Sequence, residues 1–272
     1  MSAQISLPLA GYAGWAFLKR TQAQQMATLA KAPDQVRAEA YFQEKIGGID
    51  TAEQLVADRR LLSVALGAFG LSDDINNRYF LRKVLESDTL QGDSLANKLS
   101  DKRYADLANA FGFGTFTTPR NKLSDFADKI IAQYRQQGFE TAVGDQSASM
   151  RIALYAEREL PDLAQSLDSD TTKWFKVIGS EPLRTMFQTL FALPSSFGAL
   201  DIDQQVATLR KRSKALLGSS DLSQFTKPEV LEKTVRRYLL QAQIAEGTNG
   251  TSPASAALQL LQARQGNLSL RL

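Results

Sequence analysis

The feature that most constrains the fold is a pattern of helical segments that occurs twice, about forty residues apart. Each copy opens with an aromatic pair, continues with an acid followed by basic residues, and closes on an apolar segment that contains Phe and Gly. The first copy is represented by Tyr41-Phe42, Asp58-Arg59-Arg60 and Ala68-Phe69-Gly70, and the second by Tyr79-Phe80, Asp101-Lys102-Arg103 and Ala110-Phe111-Gly112. Because a short helical unit buries little surface alone, such units stack on their neighbours. The sequence therefore predicts a multihelical protein built on a duplicated helical unit of about forty residues.

Apolar residues recur at helical spacing along most of the chain, and the stripe from Leu123 to Tyr134 shows this best. Alternating runs of Val, Ile and Thr, which are typical of strands, are not found in the sequence. We therefore expect an all-α fold with about ten to twelve helices.

Capping residues and glycines predict where individual helices begin and end. The segments Thr51-Ala52-Glu53-Gln54 and Thr226-Lys227-Pro228-Glu229 have the pattern of capping boxes, which start helices. Three glycines each follow an apolar stripe, where a left-handed residue commonly ends a helix: Gly70, Gly112 and Gly138.

The chain divides by composition into three parts. Residues 1–13 are predicted to form a flexible N-terminal segment, and residues 14–245 a single all-helical domain with internal repeats, whose halves run roughly over 14–115 and 116–245. The remaining residues, 246–272, are predicted to form a linker rich in Gly, Thr and Ser followed by a C-terminal helical tail. Whether that tail packs on its own domain or on another chain is left open.

The inventory of reactive side chains excludes several classes of site. The chain contains no His and no Cys, which excludes imidazole catalysis, thiolate nucleophiles and the usual zinc ligand sets. The paired acids do not have the spacing of a calcium loop, and they are Asp73 with Asp74, Asp168 with Asp170, and Asp201 with Asp203. The glycines near the Phe residues follow no strand that could place a phosphate-binding turn. We therefore assign no catalytic, cofactor-binding or metal-binding residue, expect no cofactor, and predict that the protein is not an enzyme.

Charge gives weak support for a polyanionic partner, because 32 Lys and Arg against 29 Asp and Glu leave a net charge of only +3. Basic residues cluster at Arg210-Lys211-Arg212 with Lys214, and at Arg236-Arg237. On amphipathic helices such clusters are usually solvated edges. The aromatic pairs are expected in the core, with a groove for a partner helix as the alternative.

No apolar run is long enough to cross a bilayer, because the longest one, from Ile5 to Leu18, is interrupted by Pro8 and two glycines. Basic residues follow this run and do not precede it, which argues against a cleaved secretory signal. The sequence therefore predicts a soluble protein that is cytoplasmic or is exported without a cleaved signal.

The segment from Gly14 to Gly114 resembles the bacterial domain-of-unknown-function family twelve-seventeen. The resemblance is carried by Gly14-Trp15, Tyr41-Phe42, Ala57-Asp58-Arg59-Arg60-Leu61-Leu62, Leu66-Gly67-Ala68-Phe69-Gly70-Leu71, Asp73-Asp74-Ile75, Arg82-Lys83-Val84-Leu85-Glu86, Leu95-Ala96-Asn97, Asp101-Lys102-Arg103-Tyr104 and Ala110-Phe111-Gly112-Phe113-Gly114. Members of that family are typically encoded among flagellar genes and have no established activity. The resemblance implies a link to flagellum assembly or motility, a flagellar component as the protein partner, and the flagellum as the destination if the protein is exported.

The residues and the resemblance together predict a non-catalytic helical protein that acts through protein–protein contacts, as an accessory, chaperone-like or structural factor. A nucleic-acid-binding helical protein is the alternative. An enzyme or metal-binding protein built on carboxylates is less favoured, because His and Cys are missing.

Overall fold

The computed structural model describes residues 5–250, with side chains up to residue 246. This part of the chain forms thirteen α-helices, joined by short loops and 3-10 turns, and contains no β-strand. The all-α fold class is therefore confirmed. The helices are α1 Gly11–Ala30, α2 Pro33–Lys45, α3 Ala52–Ala57, α4 Arg59–Ala68, α5 Arg78–Leu85, α6 Leu95–Lys98, α7 Arg103–Phe111, α8 Phe126–Gly144, α9 Ala148–Gln165, α10 Asp170–Gly179, α11 Glu181–Leu190, α12 Ile202–Leu217 and α13 Pro228–Gly250.

One of the two predicted capping boxes forms. The Thr51 hydroxyl accepts a hydrogen bond from the backbone N–H of Gln54, whose side chain accepts from the N–H of Thr51, so both amides are satisfied at the start of α3. The prediction at Thr226 is wrong. Its hydroxyl donates to the carbonyl of Ser223 within a 3-10 turn, and α13 begins only at Pro228.

Two of the three predicted glycine stops are confirmed. Gly70 and Gly112 have φ angles of +69° and +68° and follow the ends of α4 and α7. At the first of these, the N–H of Leu71 bonds to the carbonyl of Leu66, which is the long bond of a Schellman motif. The stop predicted at Gly138 is wrong, because α8 runs on to Gly144. Apolar residues continue beyond Gly138 and become buried, which outweighs the cost of about 1 kcal/mol for a glycine inside a helix.

The interior consists of two main apolar clusters. The first core is formed by α2 to α5, α7 and the beginning of α8, with Phe42, Leu66 and Phe111 among its fully buried residues. The second core is formed by α1, the end of α8 and α9 to α13, and includes Trp174 and Phe187. A smaller cluster lies between α5, α6 and α7.

The division between the cores differs from the predicted halves, 14–115 and 116–245. It falls inside α8, which buries Ile130 and Ile131 in the first core and Phe139 and Val143 in the second. With 19 residues, this helix is about 28 Å long and can serve both clusters. Helix α1, although first in the chain, packs in the second core.

The segments outside the predicted domain also differ from expectation where the structure describes them. Within the predicted flexible segment, α1 already begins at Gly11, Ile5 is buried, and the Ile5 carbonyl accepts a hydrogen bond of 2.6 Å from Gln146 Nε2. At the other end, α13 extends over residues 247–250 of the predicted linker. Extending an anchored helix by one turn costs little compared with nucleating one. The predicted tail, 251–272, lies outside the described residues.

In both matched segments an Asp lies just before the last helix, α4 or α7, and a glycine with positive φ follows that helix. Asp58 accepts from backbone N–H groups at the start of α4, and Asp101 accepts from the N–H of Arg103 at the start of α7. Gly70 and Gly112 follow the ends of the same helices. These are local equivalences, and the duplicated unit of about forty residues stays a prediction.

Candidate interaction surface

The structure brings together the two basic clusters that the sequence separates. Arg237, on α13, donates a hydrogen bond from its guanidinium to the carbonyl of Leu216 in the last turn of α12. Lys214 lies in the same last turn of α12, and Lys211 lies one turn earlier. The last turns of α12 and the middle of α13 therefore lie next to each other, and both carry basic residues.

The outward side of α13 continues this surface. Lys233, Arg237, Leu240 and Ile244 follow one another at intervals of four, three and four residues, which places them on one face of the helix. We call these four residues, together with Arg236 beside them, the α13 strip. Its cations lie towards the N-terminal end and its apolar side chains towards the C-terminal end.

Exposure separates the strip from the rest of α13. Leu240 is 43% exposed and Ile244 is 60% exposed, whereas Tyr238 and Leu239 are 2% and 1% exposed and face the second core. The helix thus has two apolar sides, and only one of them is covered among the described residues.

The cations of this surface lack carboxylate partners in the described part of the chain. Arg210, one residue before Lys211, is paired with Asp170 at 3.0 Å. By contrast, no carboxylate of residues 5–246 lies within ion-pairing distance of Lys214, Lys233 or Arg237. Arg236 lies 5.0 Å from the ring centroid of Tyr12, so it binds an aromatic face and keeps its charge unpaired there. The surface therefore carries positive charge available to a partner.

The acids at the starts of the matched helices have structural roles. Burial by itself would raise the pKa of Asp58, but hydrogen bonds from Tyr41 and from the amides of Leu61 and Arg60 lower it below its usual value. Burial likewise opposes the lowered pKa of Asp101, which is held down by Arg103. Asp58 is thus kept ionised as the N-cap of α4, and Asp101 as the ion-pair partner of Arg103 just before α7.

The paired acids singled out from the sequence are divided among separate structural contacts. Asp74 accepts from the Tyr104 hydroxyl at 2.5 Å, and Asp168 pairs with Lys176 at 2.6 Å. Asp201 caps α12. Within the described residues, no three acidic side chains are grouped so that they could hold a metal ion.

Two glutamates are buried, and each contacts an arginine. Glu39 receives a two-bond contact from Arg135, with distances of 2.8 and 2.6 Å. Glu140 is 1% exposed, accepts from Gln136 at 2.9 Å and lies 3.5 Å from Arg158. Burial raises the pKa of Glu140, and this is only partly opposed by the charge of Arg158 and the bond from Gln136.

The raised pKa of Glu140 predicts a pH-dependent effect of Glu140→Gln. A carboxyl whose folded-state pKa lies above its unfolded value contributes most to stability below the unfolded pKa, and that contribution is lost as pH rises through the folded pKa. The variant keeps the acceptor for Gln136 and removes the buried charge. We therefore expect its free energy of unfolding, relative to wild type, to increase from acidic to neutral pH in urea titrations.

The control for this prediction is Glu229→Gln, which removes one negative charge from an exposed position at the start of α13. A difference between Glu140→Gln and wild type that stays constant with pH, or that falls towards neutrality, would contradict the assignment.

The aromatic pairs are only partly in the core. Phe42 and Trp174 are fully buried, as expected, but Tyr79 is 72% exposed, with Arg82 and Lys83 at 5.7 and 5.9 Å from its ring centroid. No groove lined by several aromatic pairs is seen in the described residues. The alternative expectation of an aromatic groove is therefore not supported.

Sequence reasoning identified the basic clusters but missed Leu240 and Ile244. The available signal was a second apolar stripe on α13, offset from the buried stripe that contains Val235 and Leu239. The contact between Arg237 and Leu216 could not be read from the sequence, because it joins residues on separate helices.

Fold and surface together define a multihelical all-α protein with a basic and apolar face at the end of its second half. In residues 5–250, no helix has the length and hydropathy needed to span a bilayer. The chain belongs to the family described as Protein of unknown function (DUF1217), whose model matches residues 68–231. The family resemblance seen in the sequence is thereby confirmed.

The fold is also similar to that of a solved protein. The crystal structure of a protein from Agrobacterium tumefaciens matches with a TM-score of 0.71 and 27% sequence identity, over 89% of this chain and 99% of that one. No curated protein matches the chain significantly.

Proposed function

We propose that this protein is a non-catalytic accessory, chaperone-like or structural factor in bacterial flagellum assembly or motility, and that it acts by binding another protein. The observation that carries the binding role is the exposed pair Leu240 and Ile244 next to cations that have no carboxylate partner in the described chain. Exposed apolar side chains rimmed by charge are typical of protein-binding sites. The flagellar role rests on what the family resemblance implies.

The expected partner is a flagellar component, met in the cytoplasm or, if this protein is exported, at the flagellum. A deletion strain tests the flagellar role. We expect fewer filaments or slower spreading in soft agar, with recovery on expression of the wild-type chain. Normal filaments and normal swimming in the deletion strain would remove the flagellar proposal.

The same strain tests whether the α13 strip is used. Leu240→Ser with Ile244→Ser should fail to restore motility at a normal protein level. The matched control is Leu95→Ser with Leu123→Ser, because those side chains are 42% and 59% exposed and lie away from α12 and α13. Restoration by the control variant but not by the strip variant is the expected result.

The basic surface favours nucleic-acid binding as a second candidate function. Several lysines and arginines at the end of α12 and along α13 could neutralise phosphates, and affinity would then fall steeply as salt rises. Binding of duplex DNA with such a salt dependence, unaffected by Leu240→Ser with Ile244→Ser, would favour this function over protein binding.

A further inference from the structure

The order of side chains along the α13 strip limits what can lie against it. An incoming helix parallel to the axis of α13 would meet Lys233 and Arg237 along one part of its length and Leu240 and Ile244 along the rest. Helix-in-groove recognition uses anchors at such i, i+3 and i+4 positions. The face thus fits a helix with apolar anchors at one end and hydrogen-bond acceptors or charges at the other.

The charge of the neighbouring residues determines which charge a partner must carry. Lys233, Arg236 and Arg237 precede the apolar pair on α13, and the Arg237–Leu216 contact joins this helix to the end of α12, which carries Lys211 and Lys214. Glu229 precedes Lys233 by one turn of α13 and Glu232 precedes it directly, and neither is paired with Lys233 in the structure. Carboxylates on a partner would find these cations unpaired, and complementary charge both speeds association and excludes wrong partners.

The side chains of residues 251–272 do not supply those carboxylates. Residues 251–272 contain Arg264 and Arg271 and no Asp or Glu. Bringing them onto the strip would cover Leu240 and Ile244 but would add positive charge next to positive charge.

A second copy of the chain that pairs strip to strip does not supply them either. In a parallel pairing of two α13 strips, Lys233 and Arg237 would face their own counterparts. In an antiparallel pairing centred on Leu240 and Ile244, Arg236 and Arg237 would face the helix backbone at positions 248 and 247 of the other copy, where the sequence has no acidic residue.

We propose that the α13 strip is the docking site for an acidic amphipathic helix of another protein, with its apolar side chains on Leu240 and Ile244 and its carboxylates on the cations of α12 and α13. The inference rests on the proposed protein-binding function and names the partner's chemistry. It does not depend on the flagellar role.

The test uses the full-length chain and two labelled synthetic helical peptides in fluorescence anisotropy. One peptide carries leucines one turn apart with glutamates beside them, and the other carries lysines in place of the glutamates. We expect the acidic peptide to bind at least about tenfold more tightly than the basic one at low salt. The difference in affinity between the two peptides should decrease as the salt concentration rises, because salt screens the charges.

Two pairs of variants locate the contact. Leu240→Ser with Ile244→Ser, and Lys214→Glu with Lys233→Glu, should each weaken binding of the acidic peptide roughly tenfold or more. Their controls are Leu95→Ser with Leu123→Ser, and Arg78→Glu with Lys98→Glu, which change matched exposed side chains elsewhere. Circular dichroism and urea unfolding of every variant should match wild type, so that weaker binding reflects the surface.

Several outcomes would overturn the inference. The inference is wrong if the two peptides bind equally well or if neither binds. It is also wrong if the strip variants and the control variants lose the same affinity for the acidic peptide. A large gain in affinity on removing residues 251–272 would show that the chain's own end occupies the strip. Binding of duplex DNA or anionic lipid vesicles that requires the same cations, with no effect of the acidic peptide as a competitor, would assign the surface to another ligand. A motile deletion strain, by contrast, would remove only the flagellar role.

Discussion

Trp174→Ala should destabilise the protein by about 3–5 kcal/mol, because it deletes a large, fully buried side chain from the second core. The indole packs edge-on against Phe187 with ring centroids 5.4 Å apart, and its Nε1 donates a 3.0 Å hydrogen bond to the carbonyl of Ser220. The substitution therefore leaves a cavity and an unpaired carbonyl together. Urea unfolding followed by circular dichroism measures the loss.

Two further variants separate the contributions of Trp174. Trp174→Phe retains much of the buried area and loses the hydrogen bond, so its cost should be clearly smaller than that of the alanine variant. Tyr79→Ala removes an aromatic ring that is 72% exposed and should change stability by less than about 0.5 kcal/mol. A similar, small cost for both alanine variants would show that the second core does not depend on the indole.

Gly114→Ala should also be strongly destabilising, for a reason of space. A Cβ at this position would lie 2.0 Å from the carbonyl oxygen of Glu86 and 2.7 Å from the carbonyl carbon of Ser87. Both contacts are with backbone, so the loop after α7 would have to move away from the end of α5. Such overpacking costs about 1–3 kcal/mol or more, and thermal unfolding measures it.

The matched control is Gly138→Ala, the same substitution inside α8. A Cβ at Gly138 would meet no atom within 4 Å, and alanine is the better helix former, so this variant should be more stable by about 0.5–1 kcal/mol. The two glycine variants should therefore shift the melting temperature in opposite directions. Shifts of the same sign would contradict the close approach at Gly114.

Local signals in the sequence predicted local structure well. The all-α class, the capping box at Thr51 and the helix ends near Gly70 and Gly112 depend on residues within one or two turns of each other. Gly138 shows where such reasoning fails, because burial of Phe139 in the second core decides that the helix continues. Competition between a weak local preference and tertiary burial cannot be resolved from spacing alone.

Contacts between distant segments were beyond the reach of the sequence. Nothing in the residues around Trp15 indicates that α1 packs beside helices that come more than a hundred residues later. The candidate surface shows the same limit. Its cations were visible in the sequence as two clusters, but their proximity depends on the contact between α12 and α13.

Because helix α8 is shared by both cores, it affects how the protein unfolds. The first turns of α8 are buried in the first core and its last turns in the second core. Neither core can therefore unfold without exposing part of a helix on which the other core depends. The two cores are therefore coupled through α8, and thermal unfolding should produce one calorimetric peak instead of two. If the two halves were expressed as separate fragments, only one of them could keep α8 intact. The other fragment would expose the apolar residues that α8 covers in the whole protein.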